Sequence, residues 1–224
     1  GTSWHVTYYA QDSLVSKHQL DSLLNRLDSS LSIYKPYSLI SRFNASSDGI
    51  LVDDYLSEVV DKAIEAWKIS GGLFDITIQP LVQAWGFSAK PVKKFPGRRK
   101  VRSLLRCTGT DNIKLEGHYL SKTKPCIAID VDGIAQGYSV DIVAQFLEEK
   151  HIQNYIVEIG GEIRLKGRKQ PGEQKMKIGI ESPGYDQQGA NVLQKIIVPG
   201  EGAVTTSGNY RKYHESNGKK FSHT

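Results

Sequence analysis

Asp130, Asp132 and Gly133 are the residues whose types and spacing first suggest chemistry. They lie in Ala128-Ile-Asp-Val-Asp-Gly-Ile-Ala-Gln-Gly-Tyr-Ser-Val-Asp141, where an apolar β-branched run gives way to helical spacing. Ile127 and Ile129 alternate with smaller or polar neighbours, which predicts a strand. Ile134, Tyr138, Ile142, Phe146 and Leu147 recur at threes and fours, which predicts a helix with those residues on its apolar face. The junction is then a tight turn feeding a helix amino end, with unpaired N–H groups and the positive pole of the helix dipole. A phosphate suits such an end. Two carboxylates beside it would repel the anion unless a cation lay between them, so a phosphate-plus-Mg²⁺ site is one reading. A plain Asp cap on a strand–turn–helix is the other, and the junction alone does not separate them.

Other chemistry is thinner. Glycine-bearing turns at Gly71-Gly72, Gly133, Gly160-Gly161 and Gly208 give neither G-x-G-x-x-G nor the Walker pattern, so a nucleotide would bind by another scheme. There is no G-x-S-x-G, and neither Cys107 nor Cys126 has a His nearby in sequence. The two cysteines match no zinc spacing and are free to pair. Six histidines are scattered without H-E-x-x-H; His223 stands out only because Ser222 and Thr224 flank it after a basic stretch.

The elements that must position these residues follow from patterning. The 224 residues are 39% apolar and 24% charged, an ordinary globular balance with enough chain for one sizeable core or two small ones. The net charge of +5 gathers in two runs, one spanning residues 93–106 and one formed by Arg211, Lys212, Lys219 and Lys220. Only Phe95 interrupts the first run, so nucleic-acid binding is not expected. No 18-residue apolar stretch is present, so no membrane span is expected. The absence of an initiating Met and a stop within a polar segment suggest trimmed ends, so a removed export signal or lipid anchor would be invisible.

A half-buried strand is expected at residues 2–9, then a helix capped by Asp12 or Ser13 and running to about Ser30. Its leucines at 20, 23, 24, 27 and 31 share a face. Residues 32–44 read as irregular around Pro36, and 44–49 as a turn. Asp53 or Asp54 caps a second helix, with Leu56, Val59, Val60, Ala63, Ile64 and Trp67 as its stripe and Gly71-Gly72 as its stop. Ile76 and Ile78 alternate with Asp75 and Thr77; Pro80 opens a short helix and Gly86 closes it. Residues 88–99 read as an exposed loop, followed by a short helix bearing Val101, Leu104 and Leu105. Strands are expected at 113–115, 119–122, 126–130 and 155–159, then near 163–166, 176–180, 193–198 and 203–205. Helices early and strands in runs later give an α+β fold: one domain over residues 1–224, of mostly antiparallel sheet packed with several helices.

Read together, these segments resemble the ApbE family of FAD:protein FMN transferases. Gly1-Thr-Ser-Trp4 is similar to the family's M-G-T-x-W opening without its Met, and Ser32 through Asn44 to its S-x-Y-x-x-x-S-x-x-S-R-F-N loop. Gly72-Leu-Phe-Asp-Ile-Thr-Ile-Gln-Pro-Leu-Val82 with Trp85-Gly-Phe87 resembles G-x-F-D-x-T-x-x-P-L-V…W-G-F. Asp130 through Asp141 resembles D-x-x-x-I-A-K-G-Y-x-V-D, and Ile159-Gly-Gly-Glu162 the I-G-G-D/E turn. Thr206-Ser-Gly-Asn-Tyr210 and Ser222-His223 resemble T-S-G-x-Y and S-H-x-x-x-P. Seven collinear matches cover nearly the whole chain.

The resemblance implies an enzyme that splits FAD and attaches FMN by a phosphoester bond to a Thr or Ser of an acceptor flavoprotein, releasing AMP, with Mg²⁺ as metal. It implies FAD contacts at Tyr34, Leu73, Phe74, Asp75, Asp130 and Gln136, and a metal-facing backbone carbonyl at Gly133. It implies His223 as the base for the acceptor hydroxyl. Gln136 stands where Lys is commoner, so weaker nucleotide binding is expected. The family's metal-ligating Asp and Thr would lie past Thr224. The implied location is the periplasmic side of the cytoplasmic membrane, with the membrane reached only through an amino-terminal lipid. Two other readings stay open: an FAD pyrophosphatase giving FMN and AMP, and a non-catalytic FAD-binding protein.

Overall fold

The computed structural model describes residues 2–92, 94–185, 191–208, 213–216 and 219–222. In chain order the first elements are β1 (Trp4–Tyr8), α1 (Lys17–Leu31), α2 (Leu39–Ala45), β2 (Gly49–Leu51), α3 (Asp54–Ile69), α4 (Gln79–Ala84) and α5 (Arg98–Leu104). Then come β3 (Ile113–Glu116), β4 (Tyr119–Lys122), α6 (Asp132–Glu149), β5 (Tyr155–Ile159), β6 (Glu162–Lys166), β7 (Arg168–Lys169) and β8 (Gln174–Lys175). The last are β9 (Ile178–Tyr185), β10 (Asn191–Ile197), β11 (Gly202–Val204), β12 (Tyr213–Ser216) and β13 (Lys219–Ser222). The fold is α+β, and every strand pairing among the described residues is antiparallel. Two compact units are distinguished: residues 21–135, and residues 1–20 with 136–224.

In the unit of residues 21–135, a three-stranded sheet of order β2-β4-β3 accompanies the helices. Leu23, Leu27, Ile40, Phe43, Leu56, Val59 and Leu120 are buried in its core. α3 begins where Asp53 accepts the Leu56 N–H at 3.0 Å, an N-cap that offsets an orphan helix donor. It ends in a Schellman pair: the Gly72 N–H reaches Trp67 O at 2.8 Å and the Gly71 N–H reaches Lys68 O at 3.2 Å. Both glycines have positive φ, 63° and 85°, which an L side chain rarely adopts. Residues 32–44 are not irregular throughout, because Ser38 caps α2 by accepting the Ser41 N–H at 3.2 Å. The alternation at Ile76–Ile78 is one turn of 3-10 helix leading into α4.

In the other unit, β1, β5, β6 and β11 form a four-stranded sheet in that order. Alternate residues Tyr155, Val157 and Ile159 of β5 are buried, as the period of two requires. α1 starts later than expected, at Lys17. The Ser16 N–H donates to Gln19 Oε1 at 2.9 Å and the Gln19 N–H to Ser16 Oγ at 3.3 Å, a reciprocal capping box. The buried row of α6 also differs from the expected face: it is Val140, Val143, Ala144 and Leu147, whereas Tyr138, Ile142 and Phe146 are half-buried. The helix carries two apolar rows at helical spacing, and periodicity alone does not rank them.

Candidate functional site

The run expected as a strand at residues 126–130 pairs with no strand among the described residues. Ile127, Ile129 and Val131 are nonetheless fully buried, and side chains satisfy both backbone groups of Ile129 and the carbonyl of Ile127. Asn44 Nδ2 donates to Ile129 O at 2.9 Å while the Ile129 N–H donates to Asn44 Oδ1 at 2.8 Å. A carboxamide offers one donor and one acceptor, as a neighbouring strand residue would. The Asp130 N–H donates to Ile76 O at 2.7 Å. Lys122 lies on the same inward face of β4 as Leu120 and is buried. Its ammonium donates to Ile127 O at 2.8 Å, Phe43 O at 3.0 Å and Asn44 O at 3.3 Å, and stands 4.9 Å from the Phe43 ring. Burial lowers its pKa, and nearby Asp48 partly offsets this.

The run delivers Asp130 to the start of α6. Its Oδ1 accepts the Asp132 N–H at 3.0 Å, and Val131 O accepts from Ile134 at 2.9 Å and Ala135 at 2.7 Å, so the expected tight turn into a helix is present. Burial pushes the Asp130 carboxyl above the ordinary Asp value, with the Asp132 hydrogen bond pulling the other way. The Tyr34 phenol is raised by burial first and then by the charges of Asp132 and Asp130, so all three groups share one electrostatic neighbourhood. Tyr34 is 52% exposed. The Phe74 ring covers the Cα side of Gly133, 3.5 Å from where a Cβ there would sit. Phe74 is held by its N–H donating to Ser70 Oγ at 3.0 Å, just past the glycine stop of α3.

Tyr34, Phe74, Asp130 and Gly133 are therefore neighbours of one junction. Leu73 precedes Phe74 and is 92% exposed, an apolar side chain open to a ligand. Asp75 is engaged otherwise. Its Oδ1 accepts from Thr77 N–H at 2.8 Å, Thr77 Oγ1 at 2.6 Å and Thr110 Oγ1 at 2.8 Å, and its Oδ2 from Thr110 N–H at 3.2 Å. Its carboxylate fastens the turn below Phe74.

In the unit that begins again at residue 136, Gln136 Nε2 donates to Ile159 O at 3.0 Å. Next to it Gly160 has φ 60°, and a Cβ there would collide with Gln136 Nε2 and lie 2.6 Å from Thr2 Oγ1, so only glycine fits. Glu158 accepts the Gly161 N–H at 2.9 Å and pairs with His5 at 2.6 Å. Glu162 was not singled out from its residue type. Its Oε2 is buried with no hydrogen-bond partner among the described residues, and burial raises its pKa. An orphaned buried oxygen is a property of the fold around it, which sequence does not display. His223 lies outside the described residues, as do positions 209 and 210 of the T-S-G-x-Y match.

Among the described residues no cluster of three or more His, Cys, Asp or Glu could hold a metal ion. Asp130, Asp132 and the Gly133 carbonyl supply only hard oxygen donors. Donors of this type are the ones Mg²⁺ takes, with one or two carboxylates and its remaining positions filled by water and phosphate oxygens.

A model of the ApbE family matches residues 1–224. Over its full length the chain is 38% identical to a FAD:protein FMN transferase of Vibrio cholerae, of which it covers 68%, and 34% identical to one of Haemophilus influenzae, of which it covers 67%. An Escherichia coli protein of the same name is 29% identical and covered over 65% of its length. The chain thus spans about two thirds of these relatives. Among solved structures, the flavin transferase ApbE from Vibrio cholerae aligns with TM-score 0.83 at 35% identity, over 96% of this chain and 71% of that one. The apo flavinyl transferase ApbE of Pseudomonas stutzeri aligns with TM-score 0.81 at 30% identity, over 100% and 73%.

Proposed function

The chain belongs to the ApbE family, and from that premise we propose that it is a Mg²⁺-dependent transferase, moving FMN from FAD to a Thr or Ser hydroxyl of an acceptor flavoprotein with release of AMP. The observation that carries this reading is the junction at Asp130: a half-buried acid at a helix amino end, beside the rings of Tyr34 and Phe74. The helix end favours the diphosphate, and the two rings offer stacking surfaces for flavin or adenine. Asp130, Asp132 and the Gly133 carbonyl would hold Mg²⁺, which when bound offsets the charge of the diphosphate and of departing AMP. Gln136, in the second turn of α6, and Leu73 are assigned to FAD by resemblance alone.

His223 takes the proton of the acceptor hydroxyl. That oxygen forms a bond to the FMN-side phosphorus, the bond from this phosphorus to the bridging oxygen breaks, and AMP leaves with the electron pair. We place the reaction outside the cytoplasmic membrane; the Cys107–Cys126 disulfide supports an oxidising compartment.

The test is incubation with FAD, Mg²⁺ and a Thr-containing acceptor peptide. A peptide mass increased by one FMN moiety, with AMP in equal amount, is expected; free FMN without peptide adduct would indicate hydrolysis instead. His223→Ala should bind FAD normally and transfer at least ~100-fold more slowly. Transfer at the native rate by that variant would remove His223 from the reaction.

A further inference from the structure

We propose that α5 and the loop before it form a docking surface for an anionic phospholipid bilayer. Between Asp75 and Asp111 the chain has no acidic residue but eight basic ones, so the rest of the sequence carries more acids than bases. Lys90, Lys94, Arg98, Arg99, Lys100, Arg102 and Arg106 are all exposed, and none makes an ion pair among the described residues. Exposed Lys124 donates to Arg106 O at 3.2 Å and adds its charge to the same patch. The loop is anchored at its start, where the Gln83 carboxamide donates to Lys90 O at 2.7 Å and accepts the Lys90 N–H at 3.2 Å. Like charges this close repel one another, and a solvated face ordinarily interleaves the two signs. An anionic plane attracts each of these charges, additively and within a Debye length, and so offsets their mutual repulsion.

The apolar residues in the patch favour a bilayer over other polyanions. Leu105, next to Arg106, is 52% exposed, and half-buried Val92 and Phe95 lie in the loop, so the patch mixes apolar with basic side chains. Phe95 packs against Trp85 with ring centroids 5.5 Å apart. Two rings committed to each other make a poor platform for bases, which disfavours a nucleic-acid strand. The long basic side chains are held by no ion pair that would fix a single geometry, as an acidic protein partner would require. A fluid sheet of phosphate headgroups demands no fixed geometry. No described helix is long and apolar enough to cross a membrane, so the contact is peripheral.

Co-sedimentation with phosphatidylcholine vesicles, with and without about 30% phosphatidylglycerol, tests this at about 0.1 M and 0.5 M salt. Binding is expected only to anionic vesicles, and it should weaken at least ~10-fold at the higher salt. Arg98→Gln, Arg99→Gln and Arg102→Gln together should lower it on the order of 100-fold, with FAD binding and the melting temperature unchanged. Equal binding to neutral vesicles, or undiminished binding by the triple variant, overturns the proposal. So does no vesicle binding at all, or preference for polyglutamate or duplex DNA over vesicles. None of these outcomes depends on the flavin chemistry.

Discussion

At Asp130, function and stability pull in opposite directions. The proposed site uses an ionised carboxylate, while burial raises the pKa and so favours the neutral acid. A raised value means that the native state binds the proton more tightly than the unfolded chain does. The stability this contributes is complete below the ordinary Asp value of 3.8 and is lost as pH rises through the native one. Asp130→Asn keeps an oxygen for the Asp132 N–H and carries no charge. Its melting temperature should exceed that of the native protein near pH 7, the gap closing toward about pH 4, while FMN transfer falls. A gap that does not change with pH would refute this account of the carboxyl. That Asp130 and Gly133 stand at a tight turn into a helix was legible from local residue types. The two hydrogen bonds that Thr110 gives Asp75 were not, because Thr110 is 35 residues away in sequence.

Among the elements, the strand expected at 126–130 is the instructive difference. Alternation there reports burial correctly: Ile127, Ile129 and Val131 are fully enclosed. It does not report what satisfies the backbone, and at Ile129 and the Ile127 carbonyl that is Asn44 and Lys122. Asn44→Leu would leave the Ile129 N–H and C=O without partners, at a cost of about 2–5 kcal/mol read as a lower urea midpoint. Asn44→Asp keeps the acceptor and loses the donor, so it should fall between the two. An unchanged midpoint for Asn44→Leu would mean that water or a neighbour replaces the carboxamide. α3 was legible to within a residue because its cap and its glycine stop are local signals. α2 was hidden because Pro36 masks a helix that starts three residues later, with Leu39 following the Ser38 cap.

At the scale of the whole molecule, the antiparallel α+β character was legible from glycine punctuation and short alternating runs. The two-residue strands β7 and β8 are too short to carry a period. The disulfide was open in the sequence and is formed in the structure, joining Cys107 and Cys126 across 19 residues. Its ends adjoin two working segments: Thr110, which anchors Asp75, and Ile127, which begins the run to Asp130. Closing a span of this length constrains the unfolded chain, and Cys107→Ser with Cys126→Ser should cost about 3 kcal/mol. Thermal melts with and without thiol reductant check it; a native protein indifferent to reductant would show the bridge to be energetically idle. A segment latched by one carboxamide, one ammonium and a single backbone bond to Ile76 can be released without unravelling any ladder. For a nucleotide bound at this junction as proposed, substitutions at Asn44 and Lys122 are expected to change its lifetime without altering a group that touches it.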